Sequence, residues 1–118
     1  EASGQLNFYR NTGSRGDARW ELVSGEYEGI DAGPRSHTAF IDMDGDGDMD
    51  MVLGREEGGA AYYRNDGSPT TPRFVRDESV TVPLPALSTP LFADLDGDGR
   101  AELVSGNLSG GLFYFRMR

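Results

Sequence analysis

Between Asp42 and Asp50 a carboxylate stands at every second position, in the stretch DMDGDGDMD, and DLDGDGRAE from Asp94 to Glu102 repeats most of it. Counted from the first aspartate, both segments carry acids at positions 1, 3, 5 and 9, while position 7 is Asp48 in one and Arg100 in the other. Alternate residues of a tightly curled loop aim their oxygens inward, and Gly45 and Gly47 permit the curl because they carry no Cβ. Several hard anionic oxygens around one point suit Ca2+, which takes about six to eight oxygen ligands in flexible geometry. The spacing assigns side-chain ligation to Asp42, Asp44, Asp46 and Asp50 in the first loop and to Asp94, Asp96, Asp98 and Glu102 in the second. Position 7 supplies a backbone carbonyl, from Asp48 and from Arg100, since an arginine side chain cannot ligate a cation. Two calcium sites are therefore expected.

The plain alternative is that these are solvated turn residues, because Asp-Gly pairs are common in hairpins. Five carboxylates so spaced repel one another without a counterion, and the pattern occurs twice at the same place in a repeat. In the second loop Glu102 must reach one methylene further than the aspartate it replaces. An EF-hand is excluded, since that loop needs a bidentate Glu at position 12 and flanking helices. Position 12 is Leu53 in one loop and Ser105 in the other, between strand-like flanks.

The loops belong to a larger repetition, and periods of this size signal repeat architectures. GQLNFYRNTGS from Gly4 matches GGAAYYRNDGS from Gly58 and GGLFYFRMR from Gly110, while FIDMDGDGDMDMVLG from Phe40 matches FADLDGDGRAELVSG from Phe92. The offset is 54 residues between Tyr9 and Tyr63 and 52 between Asp42 and Asp94. Within the central unit, Phe40 and Ile41 lead into the loop, and Met49 to Leu53 leave it as an alternating strand. Ala61 to Arg64 is a third strand. Arg73 to Val82 is a fourth, closed by Pro83 and Pro85. Gly58-Gly59 and Asn65-Asp66-Gly67 supply the turns. No segment offers a helical period. The chain is expected to be all-β: four-stranded antiparallel propeller-type blades, about two repeats of 52–54 residues, incomplete at both ends. Residues 1–39 form a partial blade with its last two strands, 40–91 a full blade with the first loop, and 92–118 a partial blade with the first three strands and the second loop.

These motifs, each followed by a Gly-rich turn and an aromatic YYRN-type strand, resemble the FG-GAP or VCBS repeats of integrin-α-like β-propellers over nearly the whole chain. The resemblance implies Ca2+ in the loop between the first two strands of each blade, held by the residues already assigned. It also implies a secreted or cell-surface protein that adheres, binds glycans or partners, or decorates an enzyme. Two features depart from the family: its rings close with more blades than the two or so here, and the N-terminal unit has no acidic loop.

Composition narrows the partners. The formal charge of −9 arises from 20 acidic residues against 11 arginines, with no lysine, which argues against nucleic-acid binding. No apolar run is long enough for membrane insertion. Cysteine is absent, which removes disulfides, thiol catalysis and thiolate metal sites together. His37, the single histidine, has no triad-like neighbours, and carboxylates saturated by calcium are poor proton carriers, so no enzymatic activity is expected.

Four further motifs have both a functional and an ordinary reading. Arg15-Gly16-Asp17 is an adhesion tripeptide that a chain of this composition also produces by chance. Tyr9, Tyr62, Tyr63, Tyr114 and Phe115 recur at repeat positions, as a shared packing layer demands, whereas Trp20 is the best candidate to stack on a sugar. Asn107-Leu108-Ser109 is a glycosylation sequon and Ser68 to Pro72 a mucin-like patch. The function expected is a calcium-stabilised extracellular module with a structural, adhesive or assembly role. Its partner is a second copy, joined head to tail, or the neighbouring blades of a longer chain. The alternatives are a glycan-binding lectin module and a fragment of a larger propeller attached to an enzyme.

Overall fold

The computed structural model describes residues 4–116, so the outermost residues of the first and last repeat segments, 1–3 and 117–118, lie outside the described residues. Nine strands follow one another: β1 (Phe8–Asn11), β2 (Trp20–Ser24), β3 (His37–Ile41), β4 (Asp50–Gly54), β5 (Ala60–Asn65), β6 (Phe74–Arg76), β7 (Thr89–Ala93), β8 (Glu102–Gly106) and β9 (Leu112–Arg116). They form antiparallel sheets of two, four and three strands, each in simple meander order: β1-β2, β3-β4-β5-β6 and β7-β8-β9. Among the described residues a single 3-10 turn, Tyr27–Gly29, interrupts an otherwise all-β fold. The architecture is that of successive propeller-like blades.

Each acidic segment joins the first two strands of its sheet. In the central sheet Ile41 pairs with Asp50, and in the third Ala93 pairs with Glu102, so position 9 of each loop is the first residue of the second strand. The carboxylate there is anchored in a hydrogen-bonded ladder, whereas positions 1 to 7 lie in the connection.

Two sequence expectations need correction. The strand leaving the first loop does not begin at Met49, which is 57% exposed, and it does not alternate between buried and exposed residues. All of β4 is buried because both faces of the central sheet are covered. On one face Val52 packs with Ile41, Tyr62, Val82, Leu84 and Leu103 of the third sheet; on the other, Met51, Leu53 and Ala61 pack with Ile30 of the N-terminal unit. The fourth strand also stops well short of Val82. After Arg76 the Asp77 carboxylate accepts the N–H and the hydroxyl of Ser79, which turns the chain out of the ladder. Val82 rejoins through one isolated bridge to Ala60.

The hairpin turns are built alike in both units. Asn11 Oδ1 accepts the N–H groups of Gly13 and Arg19, both at 2.9 Å, and Asn65 Oδ1 accepts those of Gly67 (2.9 Å) and Arg73 (3.0 Å). Beside the second turn Arg64 bridges Asp66 and Asp77. The Arg64 guanidinium holds the Asp66 carboxyl below its usual range, and hydrogen bonds from Ser79, with Arg64 assisting, do the same for Asp77.

The glycine of this turn leaves no room for a side chain. A Cβ on Gly67 would sit 2.2 Å from the Thr71 carbonyl oxygen, and one on Gly13 would meet the Asp17 carbonyl at the same distance, whereas a Cβ on Gly16 meets nothing within 4 Å. Gly67→Ala is expected to cost roughly 1–3 kcal/mol and lower the melting temperature by several degrees, with Gly16→Ala unchanged. Thermal melts followed by circular dichroism compare the two, and equal melting temperatures would contradict this account of the turn.

Candidate metal centre

The two loops share one curl. In the first, Asp42 is its hub: Oδ1 accepts the N–H groups of Gly45 (2.8 Å) and Asp46 (3.2 Å), and Oδ2 accepts that of Gly47 (3.0 Å). Asp94 does the same for Gly97 (2.8 Å) and Gly99 (2.9 Å). Further along, Asp44 and Asp46 each accept the N–H two residues on, as do Asp96 and Asp98. All four glycines adopt positive φ, from 78° to 95°, where a side chain is strained. The DxDGDG pattern thus folds on itself through its own carboxylates.

The loops differ in which oxygens they gather. In the second, one carboxylate oxygen from each of Asp94, Asp96, Asp98 and Glu102 lies within 4.8 Å of the others; in the first, the corresponding group is Asp42, Asp44 and Asp50. The side chains of Asp46 and Asp48 stand outside that group, and the Arg100 side chain in the second loop is exposed.

Position 9 explains part of the difference. The fully buried Asp50 accepts three hydrogen bonds: Oδ2 takes the Met43 N–H (2.9 Å) and the Tyr62 hydroxyl (2.9 Å), and Oδ1 takes the Asn65 N–H (2.8 Å). Burial and this bond to Asp50 raise the pKa of the Tyr62 phenol. Glu102 is equally buried, yet among the described residues it accepts only the Leu95 N–H, at 2.7 Å through Oε2, and its buried Oε1 meets no donor there. Tyr114, at the repeat position of Tyr62, is half exposed and instead helps to raise the pKa of Arg116, whose guanidinium stands 3.6 Å from Asp96.

A divalent cation fits these residues. Glu102 Oε1 is a buried acceptor without a donor, costly to leave so, and it belongs to a set of hard carboxylate oxygens of the kind that calcium takes. In the first loop the carboxylates crowd one another. Loss of hydration in the crowded loop, with the charges of Asp50 and Asp46, raises the Asp44 carboxyl although it is exposed, and desolvation followed by Asp46, Asp50 and Asp44 pushes Asp48 up to about 6. A cation among these groups would offset that repulsion. Asp42, Asp44 and Asp50 would hold it in the first loop, and Asp94, Asp96, Asp98 and Glu102 in the second.

The structural supports of the first loop were not singled out for that role in the sequence. In the sequence Tyr62 reads as a packing residue, and the backbones of Met43 and Asn65 carry no side-chain signal. Other motifs find their places. Arg15 and Gly16 cap the β1–β2 hairpin, in a turn closed by Ser14 and Asp17 that repeats at Ser68 and Thr71. Asn107 Oδ1 accepts the N–H and hydroxyl of Ser109, and the Nδ2 that would carry a glycan is buried. Tyr62 is buried as a packing residue, but Tyr9 and Tyr114 are half exposed and Trp20 is 68% exposed.

Meandering antiparallel sheets in series, the second and third each with an acidic curl between its first two strands, define a repeat protein of the propeller-blade class. The chain belongs to the FG-GAP-like repeat family, whose sequence model matches residues 42–105 and so spans both acidic loops. No curated protein and no solved structure matches it significantly.

Proposed function

We propose that this chain is a calcium-stabilised, non-catalytic repeat module that works outside the cell as a structural or adhesive building block. The observation that carries the reading is the convergence of Asp94, Asp96, Asp98 and Glu102, with an acceptor-only oxygen buried among them. Extracellular calcium is concentrated enough to fill even weak sites of this kind. A metal would also serve as the staple that a chain without cysteine cannot obtain from disulfides. Among the described residues no helix is long and apolar enough to cross a membrane.

The sheet edges support assembly. Among the described residues β1 pairs only with β2 and β9 only with β8, so both outer edges present unpaired backbone groups. The neighbouring apolar side chains are exposed: Leu112, Phe113 and Tyr114 on β9, and Tyr9 on β1. Strands of a neighbouring unit, from a second copy or from the same polypeptide, would cover them, and a head-to-tail contact between copies closes into a ring or grows into a filament. Trp20, exposed on β2, supports a second reading in which the module binds glycans by stacking; a glycan array decides that point.

Isothermal titration with calcium, joined to analytical ultracentrifugation, tests the main reading. Two calcium ions per chain are expected, one after Asp96→Ala, together with a mass that rises with protein concentration. Absence of calcium uptake would overturn the metal reading, and a monomer at every concentration would overturn self-association while leaving the metal reading in place.

A further inference from the structure

Tyr62 carries a polar group into an apolar core. It is 2% exposed, and its ring belongs to the cluster of Ile41, Val52, Val82, Leu84 and Leu103, which joins the central sheet to the third. A buried phenol needs a hydrogen-bond partner, and this one donates to Asp50 Oδ2 at 2.9 Å. The ladder brings the two together: Tyr62 on β5 pairs with Val52 on β4, so Asp50 is its diagonal neighbour on the same face of the sheet, within reach of an aromatic side chain.

A lone carboxylate turns easily about its last side-chain bond, whose torsion is broad. Asp50 is held against that freedom. Its Oδ2 receives both the Met43 N–H and the Tyr62 hydroxyl, which fills the two acceptor positions of that oxygen, while Oδ1 receives the Asn65 N–H and keeps one position open. Three donors on two oxygens fix the plane of the group, one oxygen of which lies within 4.8 Å of oxygens from Asp42 and Asp44. Two of the donors are main-chain groups that most residue types would supply; the third depends on a tyrosine. Outer-shell hydrogen bonds of this kind orient a metal ligand, and losing one costs about 10–100-fold in metal affinity. The second loop is an internal comparison. Tyr114 stands at the repeat position of Tyr62 but is half exposed, and Glu102 accepts only the Leu95 N–H among the described residues.

We infer that Tyr62 is a positioning residue for the first metal site: its hydroxyl holds the Asp50 carboxylate in the orientation that a calcium ion meets, and its ring ties that carboxylate to the core shared by two sheets. The second site works without a tyrosine in this role. This inference rests on the calcium reading of the loops.

The test titrates calcium alone into the full, nitrogen-labelled chain and follows the loop glycine amides by nuclear magnetic resonance, with Gly45 and Gly47 reporting the first site and Gly97 and Gly99 the second. Tyr62→Phe keeps the ring and removes the donor. It should lower the affinity read at Gly45 and Gly47 by about tenfold or more and leave the affinity read at Gly97 and Gly99 unchanged, whereas Tyr114→Phe should alter neither. In the parent chain the Tyr62 ring and hydroxyl resonances should shift in step with Gly45 and Gly47, a measurement that stands even if the substitution unsettles the fold. Unchanged affinity at the first loop in Tyr62→Phe, an equal loss at both loops, or Tyr62 resonances that follow Gly97 and Gly99 would overturn the inference while leaving calcium binding in place. No calcium-dependent shift at any of the four glycines would remove the metal reading and this inference with it.

Discussion

Asp50→Ala, measured in chelator so that no metal contributes, is expected to melt far below the parent protein. The carboxylate is fully buried and accepts the N–H groups of Met43 and Asn65 and the hydroxyl of Tyr62. Alanine leaves all three donors without an acceptor, where water reaches them poorly. Each unmet buried donor costs about 1–3 kcal/mol, and hydrogen bonds to a charged acceptor stand at the upper end of that range. After partial relaxation the loss should be roughly 3–5 kcal/mol, or about 12–20 °C for a domain of this size. Asp44→Ala provides the contrast, since that side chain is exposed and accepts only the N–H of Asp46. In chelator it should melt within a few degrees of the parent. Equal melting of Asp50→Ala and Asp44→Ala in chelator would show that Asp50 is no hub of the central sheet.

Removal of calcium from the parent protein should have an effect of similar size by a different route. A ligand that binds only the folded state stabilises it by about 2.7 kcal/mol when present at a hundred times its dissociation constant. Two loops filled to that degree contribute roughly 5 kcal/mol, or about 20 °C. The unfolded chain has no preformed site, so this binding energy appears as folding energy. Asp96→Ala should remove about half of the calcium-dependent shift, and the double variant Asp44→Ala with Asp96→Ala most of it. Differential scanning calorimetry in millimolar calcium and in chelator measures both. Identical melting of the parent in the two buffers would refute calcium binding by these loops, while a shift that survives in the double variant would move the metal elsewhere.

What the sequence by itself determined is local. The curl of each acidic loop is legible from its aspartates and glycines because every hydrogen bond that makes it, from Asp42 to Gly47 and from Asp94 to Gly99, spans five residues or fewer. The repeated turns at Asn11 and Asn65 and the meander order are legible for the same reason: short connections leave adjacent strands little choice but to pair. Tertiary structure decided what depends on distant neighbours. Only the packing of Ile30 and Leu103 against opposite faces of the central sheet buries β4 throughout, where its own residues suggested alternation. Asp50 and Glu102 occupy the same loop position, yet one is saturated by Tyr62 and Asn65 and the other keeps an unmatched oxygen. Among the described residues, part of that difference arises from where β5 and β9 carry Tyr62 and Tyr114, one into a core between two sheets and the other half exposed. A local pattern specifies which groups a loop offers; the partners brought alongside by the rest of the chain decide whether each group is satisfied, strained or left to bind something else.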